Sequence, residues 1–176
     1  MKLSEIDRSR KTVFSLEVFP PKKSSPLESI TNILGEMRPF EPDFISVTFG
    51  AGGSLADNST CKISSLIKHQ YGIEPLAHLS CVNLSRSEVL GVLKQLEEAG
   101  VENVLALRGD RDPSRTPKED FHYACELIKL VRENSEMGIA AACYPETHPE
   151  ALSPEEDLRH LKEKVEAGAT HLISQL

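Results

Sequence analysis

The sequence predicts an α/β protein: about six βα units around one parallel sheet. Three observations lead there. Short apolar runs alternate with longer amphipathic stretches, and the runs are near-continuous in apolar residues rather than strictly alternating, as in a sheet covered by helices. The amphipathic stretches open on helix-cap signatures, and two of them close on Gly. The units also recur about every 30 residues, the period of a strand plus its crossover helix.

The expected strands are Val13–Phe19, Phe44–Phe49, Pro75–Cys81, Asn103–Leu107, Gly138–Tyr144 and His171–Gln175. Ser25-Pro26-Leu27-Glu28, Thr116-Pro117-Lys118-Glu119 and Ser153-Pro154-Glu155-Glu156 each offer a hydroxyl cap, Pro at the first helical position and Glu to close a capping box. Ser85-Arg86-Ser87-Glu88 is the same box without proline. Gly100 and Gly168, each after Glu-Ala, suit the left-handed position past a last helical turn.

Two topologies accommodate this pattern, an open doubly wound sheet or part of a (β/α)8 barrel. Six units in 176 residues are roughly 29 residues each, close to the ~31 of a barrel. Six units cannot close eight strands, and the sequence stops at Leu176 directly after the sixth. The expectation is one domain over residues 1–176, a fragment of a longer barrel or a shortened relative. Its exposed sixth strand would favour poor stability or association, hence a homo-oligomer.

Composition narrows the function classes. Twenty Lys+Arg against 27 Asp+Glu give a net charge of −7, and aromatics are 5% with no Trp. That argues against a basic nucleic-acid face or a stacking platform for single strands. Met1–Thr12 lacks the apolar core of a signal peptide, and the longest apolar stretches, such as Gly138–Tyr144, are too short to span a bilayer. Cys61, Cys81, Cys125 and Cys143 are scattered, which fits reduced thiols in the cytoplasm.

Each strand ends in a polar or ring-bearing residue: Glu17, Thr48, His78, Arg108 with Asp110, Tyr144 and Gln175. Polar groups recurring at the βα period line the carboxyl rim of the sheet, where both topologies carry their sites. Glu17 stands within Phe14-Ser15-Leu16-Glu17-Val18-Phe19, so burial is expected to raise its pKa toward the range of a general acid. Asp110 reads either as a site carboxylate or as a turn acid paired with Arg108 or Arg111. Gly50-Ala51-Gly52-Gly53-Ser54 fits neither the dinucleotide fingerprint nor the P-loop. Tyr144-Pro145-Glu146-Thr147-His148-Pro149 is a proline-stiffened loop presenting a phenol and an imidazole. No strand carries a Lys for a Schiff base, no His/Cys set has zinc spacing, and no Gly-x-Ser-x-Gly elbow is present.

Six segments in order, FSLEVFPPK (Phe14–Lys22), SVTFG (Ser46–Gly50), HLSC (His78–Cys81), ALRGD (Ala106–Asp110), YPETHP (Tyr144–Pro149) and ISQ (Ile173–Gln175), resemble the signature of the methylenetetrahydrofolate reductase family. The resemblance covers about Val13–Leu176. It implies a (β/α)8 barrel of which the last two units are missing here. It also implies non-covalent FAD, NADH or NADPH as reductant, and reduction of 5,10-methylenetetrahydrofolate to 5-methyltetrahydrofolate for methionine synthesis. By the same resemblance Glu17 is the general acid that opens the folate's five-membered ring, and Asp110 the carboxylate between flavin and pterin. Thr48, His78, Arg108, Gly109, Tyr144, His148, Asp157 and Lys164 match flavin-contacting positions, Tyr123-Ala124 a further one, and Gln175 a pterin-binding amide. Phe49, His160 and Glu163 depart from residues common in the family. The alternative of another class is a non-catalytic, shortened relative acting by flavin binding or association.

Overall fold

The computed structural model describes residues 1–6, 12–21, 28–49, 58–110 and 118–174. Six strands form one parallel sheet in sequence order: β1 Ser15–Val18, β2 Phe44–Val47, β3 Glu74–Ser80, β4 Asn103–Leu107, β5 Gly138–Cys143 and β6 His171–Ser174. An uninterrupted β1-to-β6 order is that of a curling, incomplete barrel. The doubly wound alternative would instead reverse its strand order at a switch point.

Five helices follow: α1 Glu28–Met37, α2 Ser59–Leu66, α3 Arg86–Glu98, α4 Ala124–Asn134 and α5 Pro154–Ala167. A wider π turn, Ile67–Tyr71, extends α2 and stops at Gly72, whose φ of 70° is left-handed. Gly100 and Gly168 end α3 and α5 with positive φ, as their position in sequence predicts. Ser85 caps α3 with the full box: its Oγ accepts from Glu88 N at 3.3 Å, while Glu88 Oε2 accepts from Ser85 N at 2.6 Å. Ser153 caps α5 in the same way, but Glu156 reaches one residue further back, to Leu152 N at 2.9 Å.

The expected start of α4 at Thr116-Pro117 is corrected. Those two residues lie outside the described ones, and the chain from Lys118 to Tyr123 is not helical. Phe121, fully buried, pins that approach, and Glu126 supplies the box instead by accepting from His122 N and Tyr123 N at 2.6 and 3.0 Å. The Ser25-Pro26 cap of α1 and the Gly50–Ser54 loop also lie outside the described residues.

Alternation along each strand sorts the sheet into two faces. Outward residues, including Ile45, Val47, Ala77, Leu79, Val104, Ala106, Ile139 and Ala141, pack under the helices. Inward residues Phe44, Leu76, Leu105, Leu107, Ala140 and Ile173 gather around Leu3 of a single N-terminal 3-10 turn, Leu3–Glu5. This turn plugs the end of the sheet where the strands begin. Asn103, fully buried, ties it down: its Oδ1 accepts from Leu3 N at 2.8 Å, and its Nδ2 donates to Met1 O and Glu74 Oε1, each at 2.9 Å. Gly138, beside Asn103 in register, makes room; a Cβ there would lie 2.5 Å from Asn103 Oδ1. Lys68 Nζ completes the network, 2.7 Å from Glu74 Oε2 and 2.5 Å from Glu102 Oε2. This end of the sheet is thus occupied by an apolar plug and its polar clasp, and the polar residues read from the sequence stand at the opposite rim.

Candidate active site

Three inward side chains meet where β1, β2 and β3 end. Glu17 and Ser46 are register partners, and Ser46 Oγ donates to Glu17 Oε2 at 3.1 Å. His78, 8% exposed, brings Nε2 to 3.5 Å from the same oxygen without a hydrogen bond, and that nitrogen is buried with no other partner. Burial lowers the pKa of His78, and the Glu17 charge opposes the shift without cancelling it.

The expected burial of Glu17 is corrected. Its side chain is 45% exposed, and Phe14 and Phe19, its apolar neighbours in sequence, are themselves exposed, Phe19 to 68%. Leu16 and Val18 point to the other face, under the helices. The carboxyl is therefore held by Ser46 and His78 rather than by an apolar pocket.

A second group forms beyond β4 and β5. Arg108 makes a two-pronged ion pair with Glu150, Nη1 to Oε2 at 2.6 Å and Nη2 to Oε1 at 2.8 Å, which raises its pKa. Glu150 is thus the contact partner of Arg108, and the alternative pairing of Asp110 with Arg111 falls on a residue outside the described ones. Asp110 is exposed, and its carbonyl accepts from Asn83 Nδ2 at 3.0 Å. Gly109 has φ 79°, and a Cβ on it would come within 2.8 Å of Ser80 Cβ, so no other residue fits there without displacement.

The Tyr144–Pro149 loop folds onto the start of α5. His148 N donates to Asp157 Oδ2 at 3.1 Å, and His148 Nδ1 accepts from Glu150 N at 3.1 Å. The neutral ring therefore carries its proton on Nε2. Tyr144 meets the same ring edge-on, 5.7 Å between centroids. Lys164 Nζ donates to Ala142 O at 2.8 Å, and burial lowers its pKa against the pull of Asp157.

Thr48 is tied through its backbone, N to Val18 O at 3.1 Å and O from Thr60 Oγ1 at 2.9 Å. Ala124 is buried in the first turn of α4, so Tyr123 is the member of that pair that reaches the surface, stacked 4.4 Å from His160. Glu163 holds His160 Nδ1 at 3.1 Å. Gln175 lies outside the described residues. Sequence reasoning missed Ser46 and Glu150. Ser46 sits one strand spacing from Glu17, a signal only register reveals, and Glu150 lies just past the singled-out Tyr144–Pro149 loop.

Comparison with known proteins gives two levels of likeness. Among solved structures, the phosphoenolpyruvate phosphomutase of Streptomyces platensis subsp. rosaceus matches with TM-score 0.63 at 11% identity, over 94% of this chain and 60% of that one. The 4-hydroxy-tetrahydrodipicolinate synthase of Methylacidiphilum fumariolicum SolV matches at 0.59 and 16%, over 89% and 51%. At such identities the likeness shows the fold alone, here an incomplete barrel of TIM type. Sequence relatives are nearer. The 5,10-methylenetetrahydrofolate reductase of Pectobacterium carotovorum subsp. carotovorum is 38% identical over 161 residues, covering 92% of this chain and 53% of that protein. Its Escherichia coli (strain K12) counterpart is 37% identical over the same span and shares. A probable methylenetetrahydrofolate reductase (NADH) of Oryza sativa subsp. japonica is 35% identical, over 99% of this chain and 32% of its own length. The chain therefore spans about half the length of its bacterial relatives. The sequence profile described as Methylenetetrahydrofolate reductase matches residues 2–176, and with that match the chain belongs to the methylenetetrahydrofolate reductase family.

Proposed function

We propose that this chain forms the first six units of an FAD-dependent reductase. That enzyme converts 5,10-methylenetetrahydrofolate to 5-methyltetrahydrofolate with NADH or NADPH, in cytoplasmic one-carbon metabolism that feeds methionine synthesis. The observation that carries the reading is the convergence of Glu17, Ser46 and His78 on the inner face where β1–β3 end. Family membership gives that convergence its chemistry.

The residues present fit a flavin dinucleotide. An acidic chain brings Arg108, paired in this structure with Glu150, near Lys164, bonded to Ala142 O, with His148 beside Glu150; a pyrophosphate would recruit these donors in place of those partners. Gly109 turns the chain beside that rim with a left-handed φ while packing on Ser80, and Tyr123 and Tyr144 offer half-exposed rings. The buried, unpartnered Nε2 of His78 is a further polar group beside that rim. FAD supplies the two-electron carrier between nicotinamide and folate. Glu17 delivers a proton to the folate's leaving nitrogen as the carbon–nitrogen bond breaks, and Asp110 offers negative charge to the cation so formed. Gln175 is assigned to the pterin by resemblance.

The test uses the native protein, its intact mass recorded. A flavin absorbance bleached by NADH or NADPH and restored by methylenetetrahydrofolate is expected. In Glu17→Gln the bleaching stays near normal, while restoration slows by roughly 10²–10⁴-fold, the range of general acid catalysis. Flavin without folate-driven restoration in the unaltered protein favours the alternative, a shortened relative that binds flavin without catalysis. The exposed Leu172 of β6 suits association, including with a second copy.

A further inference from the structure

The role assigned to Glu17 leaves open which of its two oxygens carries the proton. Oε2 faces the protein: Ser46 Oγ donates to it at 3.1 Å, and His78 Nε2 lies 3.5 Å away. Oε1 makes no hydrogen bond or ion pair among the described residues. Ser46 is 6% exposed, and among the described residues its one other acceptor is Leu16 O at the longer 3.5 Å, so its hydroxyl favours the carboxyl.

On the reading of Glu17 as the acid, we propose that Ser46 holds Oε2, with neutral His78 packed beside it, and that the two are positioning residues that place the transferable proton on Oε1. A neutral carboxyl has one donor and one carbonyl oxygen. The oxygen that accepts from Ser46 is the carbonyl-like one, which leaves the hydroxyl on Oε1, the oxygen with no hydrogen bond among the described residues. Once the proton leaves, charge spreads over both oxygens, and the Ser46 bond becomes charge-assisted and stronger. A bond that strengthens as charge develops favours the transition state over the ground state.

His78 contributes by staying neutral. An imidazolium at this distance would hold Glu17 as a carboxylate and remove the acid. Burial of His78 opposes that charge, so the ring occupies space beside Oε2 without locking the pair as ions. Among the described residues, His78 on β3 is the titratable group that faces Glu17; β2 contributes only the hydroxyl of Ser46.

The test is made on the native flavin-loaded protein with Ser46→Ala. The folate-driven step is expected to slow about tenfold at saturating folate with its KM nearly unchanged, while bleaching by NADH is unchanged. Ser46→Thr restores the hydroxyl and the rate. Ser46→Cys keeps the bulk with a weak donor and shows the same slowing where the alanine variant fails to fold. An unmoved folate-driven rate, or a loss that appears only in KM, overturns the proposal. If Glu17→Gln slows the folate step and Ser46→Ala does not, the positioning role alone falls. If Glu17→Gln leaves that step unchanged, the acid assignment falls and takes the positioning role with it.

Discussion

Asn103→Ala is expected to be among the most destabilising single substitutions in the chain. Its carboxamide is fully buried and makes three hydrogen bonds, one of them to the carboxylate of Glu74. Truncation leaves Leu3 N without its acceptor, worth about 1–3 kcal/mol for a buried donor, and removes a bond to a charged group, worth about 1.5–3 kcal/mol. The Met1 carbonyl loses about 0.5–1.5 kcal/mol more. The sum has a ceiling, because the N-terminal turn can lift away and rehydrate its polar groups. That route costs the burial of Leu3, about 1.5–3 kcal/mol, together with the bond to Glu74. The cheaper path therefore sets the loss at about 3–6 kcal/mol, a large part of a typical domain's stability. Urea unfolding followed by circular dichroism measures it. Leu3→Ala alone should cost about 2–3 kcal/mol, and adding it to Asn103→Ala should cost clearly less than the sum, since both release one turn. A loss below 1 kcal/mol for Asn103→Ala, or strict additivity, would refute this account of the plug.

Other outcomes follow from single contacts. Gly109→Ala should lose about 2–4 kcal/mol, combining the left-handed φ with crowding against Ser80, as read by thermal and urea unfolding. Glu17→Gln should move the His78 midpoint further down in a proton NMR titration, because the one charge that favours the imidazolium is removed; an upward shift would contradict the pairing. Lys118 and the capped backbone of Ser85 hold the Glu88 carboxyl down at about 2, against an ordinary 4.5. A depressed carboxyl stabilises fully above its ordinary value and loses that contribution as pH falls toward 2. Glu88→Gln should thus remove about 1 kcal/mol of the wild-type loss between those limits, well below the nominal value because solvent screens the site. On the proposed flavin role, Arg108→Ala should weaken FAD retention more than replacing Lys94, which lies exposed on α3; equal flavin content would remove Arg108 from that role.

How much of this was legible in the sequence depends on whether a signal is local. The strands stand in the sequence because a parallel sheet buries both faces, and their ends moved by a residue or two. Ser85 and Ser153 cap helices because a cap is settled within four residues. The Thr116 cap falls outside the described residues, and α4 begins instead at Ala124, after a non-helical approach in which Phe121 is buried. Burial of Glu17 was misread from its neighbours: in a strand, adjacent residues face opposite ways, so Leu16 and Val18 shield nothing on its face. Ser46 and Glu150 needed register and loop reach, neither of which is written in local composition.

The N-terminal plug also bears on the order of folding. Each strand pairs with its immediate sequence neighbour, so the sheet can grow by short hops with little loop-closure entropy at each step. Leu3 is the exception, since its backbone bonds to a residue 100 positions away. Its seat is built from β3, β4 and β5, so it can dock only after all three have come together. Leu3→Ala should therefore leave the refolding rate nearly unchanged and speed unfolding, a φ-value near zero. Until that docking, the inner apolar row of Leu76, Leu105 and Ala140 stands open to water, and the interval before it is when a folding chain is most prone to aggregate.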